Sequence, residues 1–187
     1  MTATSPRTPL PPAAVPAWVG PGAATGVPPG ALGWLTERGL LTERVRDRCP
    51  ASFGLRIVEE RRDLLERADQ RFLEAPDARC FVREIELTCS ATALVFAQTL
   101  VPAATLAAEP WLAELGTDAL GPRLARTGHA QREPFEFARL DPAHALYRRA
   151  WRTGGAGPAA LWARRARYRL GVHALVVQEV FLPGAWS

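Results

Sequence analysis

The chain has no lysine: all 23 of its basic residues are arginine. Schiff-base catalysis by a lysine side chain, attachment of pyridoxal phosphate and a Walker A phosphate loop all need that residue, so none of them can occur. Only four serines are present (Ser5, Ser52, Ser90 and Ser187), and none stands in a GxSxG setting. The three histidines, His129, His144 and His173, are far apart, and no CxxC or HxxxH spacing points to zinc or another metal. Three cysteines, Cys49, Cys80 and Cys89, are too few and too unevenly spaced for a disulfide framework, which predicts reduced thiols and a cytoplasmic protein. No apolar run approaches bilayer-spanning length. The N-terminal stretch carries one charge, Arg7, among prolines, so no secretory signal is expected. Catalysis, if present, falls to carboxylate and guanidinium groups, backbone donors and shape.

What is there fits one soluble domain. A chain of 187 residues with 48% hydrophobic and 22% charged residues can bury a real core. Residues 1–30 hold eight of the 17 prolines, four glycines and a single charge, which predicts a flexible tail ahead of a domain at 31–187. Residues 121–170 carry eleven arginines against three acids, whereas residues 31–79 carry ten of each. Such a local positive field favours an anionic partner, with most of these arginines expected on a solvated face.

The most informative stretch is 161–183. It reads as two strands, Leu161–Leu170 and Ala174–Leu182, joined at Gly171-Val172. Alternation puts Glu179 in a row with Leu175, Val177 and Phe181, where a carboxylate needs a cation or a pocket. An earlier strand, Arg79–Leu87, places Arg83 with Phe81, Ile85 and Leu87, leaving Glu84 and Glu86 opposite and expected to be solvated. Arg164 is a further inward cation by the same alternation, while Arg165, Arg167 and Arg169 are expected at the surface. One inward arginine and one inward glutamate on central strands suggest a polar pocket on a sheet. Pattern alone leaves a plain buried Arg83–Glu179 ion pair open as well.

Around these strands the expected elements are two short helices in 31–49, closed by Gly39 and capped by Thr42, and a strand at Phe53–Glu60. A helix at Arg62–Glu74, a hairpin strand at Ala91–Val101 and short turns of helix around Trp111–Leu115 and after Asp118 follow. A strand at Glu133–Leu140, a helix from the Asp141-Pro142 cap to about Arg152 and a loop at 154–158 complete the chain. The fold class is α+β, a single mainly antiparallel sheet of about six strands with covering helices.

Six short pieces in register carry a resemblance. They are Trp34-Leu35 with Leu41-Thr42, Phe81-Val82-Arg83-Glu84-Ile85, Thr99-Leu100-Val101-Pro102 with Thr105-Leu106, Leu115-Gly116 with Leu120-Gly121, Leu161 to Arg165, and Glu179 to Pro183. Together they resemble the chorismate pyruvate-lyase family. The resemblance implies a cofactor-free lyase that turns chorismate into 4-hydroxybenzoate and pyruvate at the head of ubiquinone biosynthesis. It implies a pocket buried under helical flaps, in which Arg83 grips the substrate and Glu179 is the essential acid. Leu120 would give a backbone donor beside the ligand, and Leu41 would be a flap residue. The implied partner is a small dianion, with no nucleic acid and no membrane insertion, acting on a monomer. The chain departs from the family pattern at Gln98, where arginine is common, at Ala163 and Ala166, and in the segment 140–158, which reads as an insertion.

Two other readings stay open at this point. The fold also resembles the effector domain of some transcription regulators, a non-catalytic sensor of small acids. A nucleic-acid binder using residues 121–170 lacks interleaved aromatics and any known motif.

Overall fold

The computed structural model describes residues 18–152 and 155–186. Seven strands, β1 (Phe53–Leu64), β2 (Arg79–Cys89), β3 (Thr92–Pro102), β4 (Ala130–Arg132), β5 (Glu136–Leu140), β6 (Leu161–Leu170) and β7 (His173–Phe181), make one sheet in which every pairing is antiparallel. Its order is β1-β2-β3-β7-β6-β4, and β5 pairs the first half of β6 while β4 pairs the last residues. The hairpin between β6 and β7 turns at Gly171, whose φ of 63° suits a residue without a Cβ.

Among the described residues six α-helices cover both faces: α1 (Pro29–Leu35), α2 (Leu41–Arg48), α3 (Arg67–Leu73), α4 (Ala103–Ala108), α5 (Leu120–Thr127) and α6 (Ala145–Ala150). On the front face, α1 and α2 pack Trp34, Leu35, Leu41 and Val45 onto Ile85, Leu87, Val95 and Phe181. A second front cluster joins Leu120 and Leu124 of α5 to Phe81, Val101 and Leu175. On the back, α6 packs Leu146 and Tyr147 against Phe96 and Val180, and α3 packs Leu73 against Val82 and Leu100. Each face thus carries two apolar clusters, and polar residues fill the gap between them.

Covering both faces changes several expectations. Glu84 and Glu86, expected in solvent, are buried because α6 lies over their side of the sheet. Glu84 takes Gln98 Nε2 at 2.7 Å and Arg149 Nη2 at 2.7 Å. Burial pushes its pKa up, but those bonds outweigh it and hold the carboxyl below its usual range. Glu86 pairs with Arg56. Arg165, expected at the surface, is buried, stacks on Trp18 and Phe72, and pairs with Glu136 at 2.6 Å.

Other differences lie at element ends. β1 runs on to Leu64 where a helix from Arg62 is expected, and α3 begins only at Arg67. An edge strand tolerates the charge run Glu59–Asp63, which otherwise resembles a helix surface. Thr36 ends α1 instead of Gly39, and Leu40, not Thr42, stands at the N-cap of α2. His144 caps α6 through Nδ1, three residues after Asp141. The first half of the predicted 154–158 loop includes Gly154, which lies outside the described residues.

The expected tail is corrected in part. Residues 1–17 lie outside the described residues, but residues 18–30 are structured. Val19 exchanges two backbone hydrogen bonds with Phe137, and Val27 packs on the front cluster before α1 starts at Pro29. Proline at the first helical position supplies the φ a helix start needs. Within residues 18–30, Pro28 and Pro29 stand at a helix start and not in a flexible tail.

The expectation of three reduced thiols is corrected too. Cys49, at the C-terminal cap of α2, and Cys89, at the end of β2, form a disulfide across 40 residues of sequence with Cα atoms 5.6 Å apart. Spacing along the chain could not reveal a pair that the sheet brings together. Cys80 is free and buried, and burial pushes its thiol up to about 11. Because closing a loop of that length constrains the unfolded chain, Cys89→Ser is expected to lower stability by about 2–4 kcal/mol. Urea unfolding of the oxidised protein, the reduced protein and the variant checks this; equal midpoints would show that the bridge contributes nothing.

Candidate functional site

The gap between the two front clusters is a cavity of about 60 Å³. Its floor comes from the middle of the sheet, with Ile85 on β2, Ala97 and Thr99 on β3, and Val177 on β7. Leu40, Leu41 and Thr42 roof it from one side, and Ala119, Leu120 and Gly121 from the other. The two covers touch: a Cβ on Gly121 would lie 2.8 Å from Leu40 Cδ2, so this glycine allows the close approach.

Arg83 and Glu179 both line the cavity, on the same face of the sheet and separated by β3. Arg83 is opposite Thr99, and Glu179 is opposite Ala97, two residues further along. They do not pair with each other. Arg83 donates from Nε to Glu60 Oε1 at 3.1 Å and from Nη2 to the carbonyls of Gly116 at 2.7 Å and Asp118 at 3.1 Å. Its Nη1 makes no hydrogen bond among the described residues. Burial lowers the pKa of this guanidinium, with Glu60 opposing, as expected for a cation short of counter-charge. A desolvated arginine with a spare donor pair suits a carboxylate.

Glu179 finds its cation next door. Arg164, its cross-strand neighbour on β6, donates from Nε to Oε2 at 2.6 Å. The Nη1 of Arg164 also donates to the carbonyls of Leu35 at 3.1 Å and Glu37 at 2.6 Å, at the C-terminal end of α1. Phe135 and Phe181 lie against the guanidinium, with the Phe135 centroid 4.1 Å from Cζ. A cation at a helix C-terminus is favourable, and this one ties the cover over the cavity to the carboxylate inside it. The Oε1 of Glu179 makes no hydrogen bond among the described residues, and Glu179 lines the cavity.

Leu41 begins α2 and Leu120 begins α5; both are buried against the cavity, so the structure brings all four sequence-derived residues to one place. Sequence reasoning missed Glu60, opposite Arg83 in the β1–β2 register. It also missed Arg132 and Tyr168, which line the cavity beside Glu179. Arg132 donates to the carbonyl of Arg38 at 2.8 Å and so fastens the α1–α2 connection. Burial raises the pKa of the Tyr168 phenol, and the nearby Glu179 adds to the effect, which keeps it a neutral donor. Tyr168 shares the face of Arg164 by simple alternation, so its signal was present in the strand. Among the described residues no group of three or more side chains gathers in a metal-binding cluster.

Comparison with known proteins bears on what such a cavity belongs to. A family model described as chorismate lyase matches residues 14–187. A "Probable chorismate pyruvate-lyase" of Nitrosospira multiformis is 35% identical over 166 residues, covering 86% of this chain and 91% of that protein. One of the same name from Ralstonia nicotianae is 39% identical over 156 residues, covering 80% of each. Among solved structures, PhnF of Mycobacterium smegmatis aligns with a TM-score of 0.57 at 14% identity over 81% of this chain and 67% of that one. A GntR-family transcriptional regulator of Bacillus cereus aligns at 0.55 with 10% identity, over 73% of this chain and 96% of that one. At such low identity these structures establish a shared fold and nothing about activity. The sequence matches reach further, and with the family model spanning all but the first residues, the chain belongs to the chorismate lyase family.

Proposed function

We propose that the protein eliminates pyruvate from chorismate to give 4-hydroxybenzoate, without a cofactor, as the first step of ubiquinone biosynthesis. The observation that carries this reading is that Arg83, with no hydrogen bond at Nη1, and Glu179, with none at Oε1, line one cavity on either side of β3. Chorismate is a dianion with a ring carboxylate at one end and a hydroxyl and enol ether at the other. Arg83 grips the ring carboxylate, and Glu179 accepts from the ring hydroxyl.

The reaction breaks the ether C–O bond and the C–H bond of the adjacent ring carbon. The ring becomes aromatic, and enolpyruvate leaves with the ether oxygen and takes up a proton to become pyruvate. Glu179 carries that proton in this reading, and the 2.6 Å bond from Arg164 to Oε2, which would fix its orientation, supports it. The Leu41 and Leu120 covers exclude water, and a backbone donor at the start of α5 steadies the ligand. The cavity's 60 Å³ is tight for a substituted ring, so the covers part to admit it and close again over the product. Arg83 serves the product carboxylate equally well, which makes product release slow. The protein works as a monomer on a small dianion, with no nucleic acid. Its place is the cytoplasm, where the thiol pool would act on the Cys49–Cys89 bridge.

Turnover of chorismate, followed by the ultraviolet absorbance of 4-hydroxybenzoate, is the test. Binding without turnover would leave a sensor and end the lyase reading. Glu179→Ala is expected to lower the rate at least about 100-fold with near-ultraviolet circular dichroism unchanged; a near-normal rate would remove Glu179 from the mechanism. Arg83→Ala is expected to weaken 4-hydroxybenzoate binding by about 2–5 kcal/mol in calorimetry, because it truncates a buried charged contact. Unchanged affinity would refute the grip on the carboxylate. A burst of product in the first turnover, followed by a slower steady rate, is the expected sign of slow release.

A further inference from the structure

The back face of the sheet holds a second and larger cavity, of about 270 Å³, in the gap between its two apolar clusters. The sheet separates it from the front cavity, because its floor residues Val82, Gln98, Leu100 and Gln178 alternate with the residues that line the front one. One wall is α6, which comes from the segment that reads as an insertion in the sequence; the other is α3. We propose that this cavity is a binding site for a small organic ammonium ion, held by the Asp69 carboxylate and the side-chain amide oxygens of Gln98 and Gln178.

Two buried amides define the acceptors. Gln98 and Gln178 are 8% and 4% exposed. Gln98 Nε2 donates to Glu84 at 2.7 Å and Gln178 Nε2 donates to Asp69 Oδ1 at 3.1 Å. Each partner is a carboxylate oxygen, so the amide nitrogen must face it and the amide oxygen must point elsewhere. Neither Oε1 has a hydrogen-bond partner among the described residues, and both residues line the cavity. Both oxygens are therefore open to the cavity, where a ligand N–H group can donate to them.

Charge selects a cation. The three arginines on the wall are already committed: Arg61 to Glu59 at 3.0 Å and Asp63 at 2.9 Å, Arg149 to Glu84 and Glu59, and Arg165 to Glu136 at 2.6 Å. Each of these guanidinium groups already has a carboxylate as counter-charge, so an anion would find no unneutralised cation. Asp69 is the reverse case, with Arg165 only at 3.7 Å and Glu66, at the N-cap of α3, adding negative charge. Burial, the largest influence, pushes its carboxyl up to about 6. On α6, His144 Nδ1 accepts from the Leu146 amide at 3.1 Å, so the neutral ring carries its proton on Nε2, and burial lowers its pKa. Leu65, Val82 and Leu100 offer apolar wall for a short alkyl chain.

The probe is butylammonium, titrated into the full-length ¹⁵N-labelled protein while the side-chain amide signals of Gln98 and Gln178 are followed. Saturable shifts of both signals at pH 7.5 are expected, with no matching response to butyrate. Affinity should fall about tenfold at pH 5, because Asp69 is ionised above its pKa and largely protonated below it. Protonation of His144 acts in the same direction, while Arg61, Arg149 and Arg165 keep their charge. Asp69→Asn should lose the binding, and the wild-type pH series tests the same point if that variant does not fold. No shift at pH 7.5, equal binding at both pH values, or an equal response to butyrate would overturn the proposal. Chorismate turnover is read at the other face, so either result leaves the proposed lyase activity to its own assay.

Discussion

Arg164 is the point at which the sheet, the first helix and the front cavity are joined. Its guanidinium is 2% exposed, a position where an isolated charge would cost several kcal/mol. Glu179, the carbonyls closing α1 and the face of Phe135 offset that cost together. The arrangement has a structural consequence: the carboxylate inside the cavity and the segment above it share one side chain. Lysine could not take this place, since it offers a point charge where a planar fork serves a carboxylate along one edge and helix carbonyls along another.

The same logic repeats through the molecule. Both faces of the sheet are covered, so charged residues that alternation sends to either side end in a gap between apolar clusters and must find partners there. On the front these are Arg83, Arg164 and Glu179; on the back they are Glu84 and Arg165, which meet Arg149 of α6 and Asp69 of α3 there. Gln98 donates to Glu84, and the cation on Glu84 comes from Arg149 on α6. Ala163 is fully buried beneath the same helix cluster, where a small side chain leaves room for Leu146 and Tyr147.

The inward positions of Arg83, Glu179 and Arg164 were legible because a strand's period of two is strict and a lone charge in an apolar row stands out. Their partners were not. The Arg83–Glu179 ion pair that the pattern left open gives way to Arg83 with Glu60 and Glu179 with Arg164, since cross-strand register, absent from any one strand, chooses neighbours. Glu84 and Glu86 were misjudged for a related reason. Alternation says which side a residue faces, but only the placement of α6 says whether that side meets water. The charge run at 59–63 and the prolines of 18–30 show composition misleading in both directions: an edge strand accepts charge, and proline serves an ordered strap as well as a tail.

By itself the sequence determined the chemistry available, an arginine-and-carboxylate vocabulary without lysine, and the faces on which the decisive side chains lie. Those follow from residue type and from the local geometry of an extended chain. Which acid meets which arginine, that Cys49 reaches Cys89, and that the back of the sheet encloses a cavity of its own were decided by the tertiary structure. Each of these depends on distances between segments tens of residues apart, which strand register and helix packing set and local sequence does not encode.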